Sequence, residues 1–445
     1  MIEVAHADER PNLLVVVTDD HPFDALGCAG HPILRTPNMD ALAREGARFT
    51  HAFVTTPICA ASRVSIFTGK YERAHGYTFG QPPLSEETVR GTYPSRLRSA
   101  GYRVGFVGKL GVGIDRNGRE EMFDSFTSGT YPYLRIEGEG QVESDPDPPR
   151  HLTELNIDRA LGFLRESDER PFCLSISFQA PHAEDDNPDQ YVWPASCDAL
   201  YTEDTIAAPV PAGSGFFEAL PEFLRTGLNR KRWHWRFDTP AKRQRMVKGY
   251  YRMLSAVDMG IGRLLATLDE LGLRENTVIV LIGDNGYFLG ERGYAGKWTM
   301  HERSIRVPLI VCDPRLGQSR RGVLLDAFAL NVDIAPTLLD LAGLDVPQEM
   351  QGRSLRPLLE GAKTDWRKEV FTEHLWKFDP IPRTEGLRTP DWKYIRYLDH
   401  PEYEELYDLR TDPEEQHNLA GEEHHAALRE QLAKRCSQAA RGVED

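Results

Sequence analysis

Two acidic pairs, Asp19-Asp20 and Asp284-Asn285, are the first residues whose types and spacing could do chemistry. Together they offer three carboxylates and an amide oxygen. An all-oxygen set suits a hard divalent cation, Ca2+ or Mg2+, whereas zinc favours nitrogen and sulfur. Cys59 lies in Pro57-Ile58-Cys59-Ala60-Ala61-Ser62-Arg63. The apolar spacing of Val64, Ile66 and Phe67 predicts a helix that begins near Cys59. A helix N-terminus presents free N–H donors and a positive potential to an anion. Arg63 adds a cation whose planar fork matches a tetrahedral oxyanion. By residue type alone this is a nucleophile beside an anion site.

Such groups must be positioned by a sheet. The apolar run at 13–17 reads as a buried parallel strand. Thr36-Pro37 opens a helix, with the Thr hydroxyl as its cap, and Gly46 closes it. Strands are expected at 105–108, 171–178, 277–282 and 307–311, with a long helix over 250–271. Alternation of this kind predicts an α/β fold with a mostly parallel sheet flanked by helices. Ligands bind beyond the carboxyl ends of such strands. Asp19-Asp20, Lys109, His182 and Asp284-Asn285 each follow a strand, so one edge should gather them. Past residue 345 the pattern changes to short strands at 370–374, 392–398 and 405–409 and a helix over 424–441. The expected division is therefore a catalytic α/β domain at 8–345 and a smaller α+β subdomain at 346–445. The irregular stretch 183–248 is too long for a plain connection and is read as an insertion shaping the pocket. Within it, Arg230-Lys231-Arg232-Trp233-His234-Trp235-Arg236 mixes cations and aromatics, a surface suited to an anionic sugar.

Composition narrows the classes. Of 445 residues, 40% are hydrophobic and 27% charged, as in ordinary globular proteins. No run reaches the ~18 apolar residues of a membrane span. A net charge of −15 argues against non-specific nucleic-acid binding. The six cysteines (28, 59, 173, 197, 312 and 436) have no zinc-ligand spacing and are too few for a disulfide framework. Ala5-His6-Ala7 before Asp8 has the look of a cleavage site whose leader is missing. In that case the protein is periplasmic or secreted, and otherwise cytoplasmic.

Cys59-Ala60-Ala61-Ser62-Arg63, with Thr68-Gly69-Lys70 and His75-Gly76 behind it, resembles the signature of the type I, formylglycine-dependent sulfatases of the alkaline-phosphatase-like superfamily. Further matches follow in the family's order over residues 10 to 420. They include Thr18-Asp19-Asp20-His21, Thr36-Pro37-Asn38-Met39-Asp40, Gly108-Lys109, Ala180-Pro181-His182, Gly283-Asp284-Asn285-Gly286, Gly296-Lys297 and Asp333-Ile334-Ala335-Pro336-Thr337. The resemblance implies hydrolysis of a sulfate ester, with a polysaccharide-derived saccharide as the expected substrate. It implies conversion of Cys59 to formylglycine by a maturation enzyme, and one Ca2+ held by Asp19, Asp20, Asp284, Asn285 and the modified residue 59. The hydrated aldehyde would attack sulfur with one hydroxyl and expel sulfate with the other. Arg63, Lys109 and Lys297 would neutralise sulfate oxygens, and His182 would protonate the leaving alcohol. Arg232, Trp235, His301, His374 and Arg388 are the expected substrate contacts. Two departures stand out. Ala61 replaces the commoner Pro, a variant associated with the bacterial radical-type maturation enzyme. Gly111 stands where many sulfatases carry a histidine that supports the formylglycine; His301 and His374 are the candidate replacements. Phosphonate monoester and phosphodiester hydrolases of the superfamily also lack that histidine, so they remain an alternative. A non-catalytic carbohydrate- or anion-binding relative is another.

Overall fold

The computed structural model describes residues 10–135, 150–209 and 217–444; the cleavage site read at 5–8 lies outside them. Strand β1 (Asn12–Thr18) is apolar from Leu13 to Val17 because both its faces are covered. Leu13, Val15 and Val17 point into one core and Leu14 and Val16 into the other, as the two-residue period of a strand requires. With β2 (Ala47–Phe49), β3 (Arg103–Gly108), β4 (Ser125–Ser128), β5 (Phe172–Ser177), β6 (Thr277–Gly283), β7 (Leu309–Cys312) and β8 (Val323–Leu325) it forms an eight-stranded sheet, order β8-β2-β7-β6-β1-β5-β3-β4. Only β7 runs against its neighbours. In the central register Thr18 faces Gly283, Val17 faces Ser177 and Gly108 faces Ser177. The residues after β6, β1, β5 and β3 therefore emerge along one edge.

Helix α1 (Pro37–Glu45) has Pro at its start, but Thr36 is not its cap. The Thr36 hydroxyl accepts from Gly27 N and donates to Asp40, while Asp258 accepts the N–H groups of Asn38 and Met39 at 3.0 and 2.8 Å. A carboxylate from a distant helix thus neutralises the helix terminus. Helix α2 (Cys59–Thr68) packs on one side of the sheet, and every one of its residues is buried. Gly69 ends it at φ 69°, in the left-handed conformation glycine adopts without penalty. Helices α1, α3 (Leu152–Arg165) and the long α5 (Pro240–Glu270) cover the opposite side. The expected long helix begins ten residues earlier than its apolar pattern indicates. Thr239 accepts Lys242 N–H at 3.2 Å and Pro240 takes the first helical position, so capping extends the helix through the polar stretch Lys242–Arg245. The stretch read as irregular also contains α4 (Leu228–Arg236), where the basic and aromatic residues sit.

Beyond α6 (Glu302–Ile305), four antiparallel strands form a second sheet, with α7 (Ala426–Gly442) against it: β9 (Val370–His374), β10 (Thr384–Arg388), β11 (Trp392–Tyr397) and β12 (Glu404–Asp408). Strand β10 is absent from the sequence reading because Thr-Glu-Gly-Leu-Arg carries no apolar alternation. Its Gly386 is required: a Cβ there would come within 2.8 Å of the Met300 Cβ. The second sheet is tied to the segment that leads into α2, for Glu373 N donates to Thr55 O at 2.8 Å, just ahead of Cys59. No described helix is long and apolar enough to cross a membrane.

Candidate active site

Asp19 and Asp20 follow β1, Asp284 and Asn285 follow β6, Lys109 follows β3, and His182 lies five residues beyond β5. All four acidic-pair residues are at most 1% exposed. Asn285 Nδ2 donates to Asp20 Oδ1 at 2.7 Å, which turns its own oxygen toward Lys297. Lys297 Nζ donates to Asp20 Oδ1 at 2.6 Å and Asn285 Oδ1 at 3.0 Å, and lies 3.4 Å from Asp19 Oδ1. Lys109 Nζ pairs with Asp19 Oδ2. Arg63, one turn into α2, donates through Nε to Asp284 Oδ2 at 2.8 Å, and its Nη1 bonds the Lys109 carbonyl and Ser177 Oγ. Three buried carboxylates are thus met by three buried cations. Asp20 adopts a left-handed backbone at φ 55° and Trp298, next to Lys297, one at φ 79°. Tyr250 holds Asp20 by donating to its carbonyl at 2.7 Å. Strained conformers of this kind persist where the surroundings over-determine them.

Electrostatics follow from the geometry. Burial alone would raise the Asp19 carboxyl, but Lys109, Lys297, His182 and Arg63 outweigh it and hold Asp19 far below the usual carboxylate range. Burial pushes Asp284 up, and the charge of Asp19 adds to the effect. Burial would lower Lys297, yet the acidic side chains around it keep it firmly protonated. Asp284 Oδ1 is buried and has no hydrogen-bond partner. An orphaned carboxylate oxygen among other carboxylates and an amide oxygen is the donor set of a hard divalent cation, so the residues fit the metal that the sequence implies. One ligand atom each from Asp19, Asp20 and His182 lie within 4.8 Å of one another.

His182 is held from three sides. Tyr131 Oη and the Ala183 carbonyl both approach Nδ1, the latter at 2.6 Å, and Tyr133 donates to the His182 carbonyl at 2.6 Å. The Ala183 carbonyl only accepts, so Nδ1 carries a proton and Nε2, 3.8 Å from Asp20 Oδ2, is the atom that gains or loses one. Burial draws this imidazole down to about 4, with Asp20 and Asp19 acting in the other direction.

Other expected contacts are placed elsewhere. His301 is 1% exposed, and both ring nitrogens are engaged, with Thr299 Oγ1 at 2.9 Å and Glu405 Oε2 at 2.8 Å. Arg388 lies 3.4 Å from Glu302, donates to the Thr389 carbonyl, and packs over Phe53 and Phe328. His374 is fully buried in β9, paired in register with Thr384. His301 and Arg388 tie the α6 segment to the second sheet. Trp235 remains 45% exposed. Trp298, which the sequence reading passes over, is 5% exposed: it packs with Ile58 and Ala61, on either side of Cys59 in the sequence, and the Arg232 guanidinium lies 4.9 Å from its ring centre. Tyr131, Ser177 and Asp185 were also missed. Trp298 and Asp185 could have been found from their closeness in sequence to Lys297 and His182. Gly111 has φ +69°, and a Cβ there would lie 3.1 Å from Arg63 Cδ and 3.6 Å from Lys109 Cε. The Arg63 stem and a left-handed backbone leave no easy place for a side chain at that position.

The sulfatase family model matches residues 11–344, and the N-sulphoglucosamine sulphohydrolase C-terminal model matches 290–442. The chain belongs to the sulfatase family. Members of this family are sulfuric ester hydrolases, with the alkaline-phosphatase-like fold seen here. The chain is similar to an N-acetylglucosamine-6-O-sulfatase of Bacteroides thetaiotaomicron, 29% identical over 95% of this chain and 85% of the relative. A solved structure of a protein in complex with its substrate D-glucosamine-2-N,6-O-disulfate superposes with a TM-score of 0.80 at 27% identity, covering 98% of each chain. The phosphonate monoester hydrolase of Agrobacterium radiobacter shares the fold, with a TM-score of 0.80 at 23% identity over 98% of this chain and 96% of that one.

Proposed function

We propose that this sulfatase hydrolyses a sulfate ester carried by a saccharide, with formylglycine derived from Cys59 as nucleophile and a divalent cation, Ca2+ first, as electrophile. The observation that carries this reading is that Cys59, at the first position of α2, is close enough to Arg63, Lys109 and Lys297 to act on all three electrostatically, beside the three buried carboxylates that those cations meet. The similarity to an N-acetylglucosamine-6-O-sulfatase and to a glucosamine disulfate complex supports a sugar as the alcohol. Asp19, Asp20, Asp284 and Asn285 would hold the cation, which when bound supplies Lewis-acid polarisation of a sulfate oxygen. The aldehyde, when hydrated, supplies a hydroxyl that can attack and a second that can expel sulfate.

The chain's own residues do the rest. Lys109 and Lys297, kept charged by their acidic neighbours, face negative charge as it grows on the sulfate oxygens. Arg63 fixes the Asp284 and Lys109 segments against each other, so these groups are placed before substrate arrives. His182 Nε2 is the proton donor to the leaving sugar oxygen; a bound sulfate favours its charged form, as Asp20 does. Cys59 is 4% exposed within a fully buried helix. The maturation enzyme must therefore act before α2 packs.

The test is ion chromatography of the protein after peptide mass spectrometry has located the aldehyde at 59. Free sulfate is expected from N-acetylglucosamine 6-sulfate or another sulfated sugar, and none from Cys59→Ala with its circular dichroism unchanged. Turnover by Cys59→Ala would refute the mechanism. Gly111 favours one second reading, a phosphonate monoester or phosphodiester hydrolase, which predicts release from a phosphorus ester and no sulfate.

A further inference from the structure

Helix α4 is fastened to the catalytic edge. Asn229 Nδ2 donates to the Lys297 carbonyl at 2.8 Å. Three and seven residues on, Arg232 and Arg236 lie on the same helix face. Both guanidiniums bond one carboxylate, Asp185: Arg232 to Oδ2 and Arg236 to Oδ1. Their situations differ. Arg236 is fully buried with all three nitrogens engaged, donating through Nε to Gln190 Oε1 and through Nη1 to Tyr287 Oη, both at 2.8 Å, and through Nη2 to Asp185. The Arg232 side chain is 12% exposed, and its Nε is buried without a hydrogen-bond partner. Two guanidiniums sharing one carboxylate leave a positive charge over. Arg232 carries it where part of the side chain stays exposed, so an incoming oxygen meets that guanidinium edge and not the buried Nε. Arg232 also lies over Trp298, which packs with Ile58 and Ala61 beside Cys59. Trp376 packs against that same cluster and stacks on Phe378, itself 41% exposed, at 4.6 Å. An aromatic surface thus runs from the neighbours of Cys59 to solvent, with one under-satisfied guanidinium on it.

We propose that Arg232 on the face of Trp298 is a subsite for a second anionic group, a carboxylate or a sulfate, on the sugar that bears the scissile ester. The preferred substrate then carries two negative groups. The guanidinium fork suits either anion, and Trp298, 5% exposed, backs the guanidinium and holds it in place. This inference rests on the sulfatase reading for which ester is cleaved, but its binding test does not. The test is titration calorimetry on the full chain with unmodified Cys59, using glucosamine N-sulfate, glucuronic acid and neutral N-acetylglucosamine. An anionic sugar is expected to bind tenfold or more tightly than the neutral one. Which anion wins separates a sulfated hexosamine from a uronic acid. Arg232→Gln is expected to remove most of that difference, and Arg232→Lys, which keeps the charge beside Asp185, to restore part of it. Equal binding of all three sugars by the wild type, no binding of any, or an undiminished anion preference in Arg232→Gln would overturn the proposal. If Arg232→Gln does not fold, the wild-type comparison and Arg232→Lys still decide. Failure of the sulfatase reading looks different: the matured enzyme releases no sulfate from any ester, while the anion preference persists.

Discussion

Replacing Asp284 with Asn reverses the usual expectation for a site residue. Its Oδ2 is held by Arg63 Nε at 2.8 Å, while Oδ1 is buried without a partner close to the Asp19 charge. A buried acceptor left unsatisfied costs ~1–3 kcal/mol. Asparagine keeps an oxygen for Arg63 and replaces the orphaned acceptor with a donor, so in chelator Asp284→Asn should be as stable as wild type or more so, by about that amount. At roughly 2 °C per kcal/mol for a long chain, the gain in Tm is about 2–6 °C. In Ca2+ the order inverts. A cation present at 100 times its Kd stabilises wild type by about 2.7 kcal/mol, while the variant, with an amide in place of a charged ligand, should lose most of that shift. Thermal unfolding in chelator and in excess Ca2+, with elemental analysis of the purified proteins, measures both effects. A chelated variant less stable than chelated wild type by more than ~1 kcal/mol, together with an undiminished Ca2+ shift, would refute the ligand assignment and the cost assigned to Oδ1.

His182→Gln should lower kcat/KM on a sugar sulfate by ~10²–10³ but on 4-nitrophenyl sulfate by under ~10, because general acid catalysis matters most for a poor leaving group; equal losses would rule out proton donation. Stability should fall on the acid side of neutrality through His151, which donates from Nε2 to the Val192 carbonyl at 2.9 Å and accepts Thr153 N–H at Nδ1, capping α3. Burial holds its folded value down at about 4, below the ordinary 6.5, so the unfolded chain takes the proton first. Its contribution is complete above about 6.5 and drains away toward 4, at up to about 1.4 kcal/mol per pH unit. Tm measured from pH 7.5 to 4.5 should therefore decline, and His151→Asn should flatten the decline; an unchanged slope would contradict the neutral, buried state.

Arg388, which the sequence suggested for substrate, lies in a charged cluster that ties α6 to the second sheet. Glu302 accepts Lys393 Nζ at 2.6 Å and lies 3.4 Å from Arg388 Nε, and its backbone N–H reaches Glu415. Lys393 and Arg388, neighbours in register on β11 and β10, together with Arg306 hold the Glu302 carboxyl far below its ordinary range in spite of burial. Removing one partner from such a cluster leaves an uncompensated buried charge, so Arg388 is firmly held there.

How much was legible in the sequence follows from the kind of information each feature needs. The main strands were readable because a strand covered on both faces is mostly apolar, and β1, β5 and β6 are, with only Asn12, Thr18, Ser175, Ser177 and Thr277 as polar members. Once those strands are parallel and aligned, the groups that follow them are bound to share an edge, so Asp19, Asp20, Lys109, His182, Asp284 and Asn285 could be gathered from local sequence alone. Whether a charged residue faces a ligand or another side chain is decided by pairings about a hundred residues apart. Glu405 reaches back 104 residues to occupy His301, and Glu302 and Arg388 meet across 86. No local pattern carries that information. The same holds for Trp298, whose place beside Cys59 depends on α2 and the Lys297 loop packing together, and for Arg232, which differs from Arg236 only in the partners that the fold supplies.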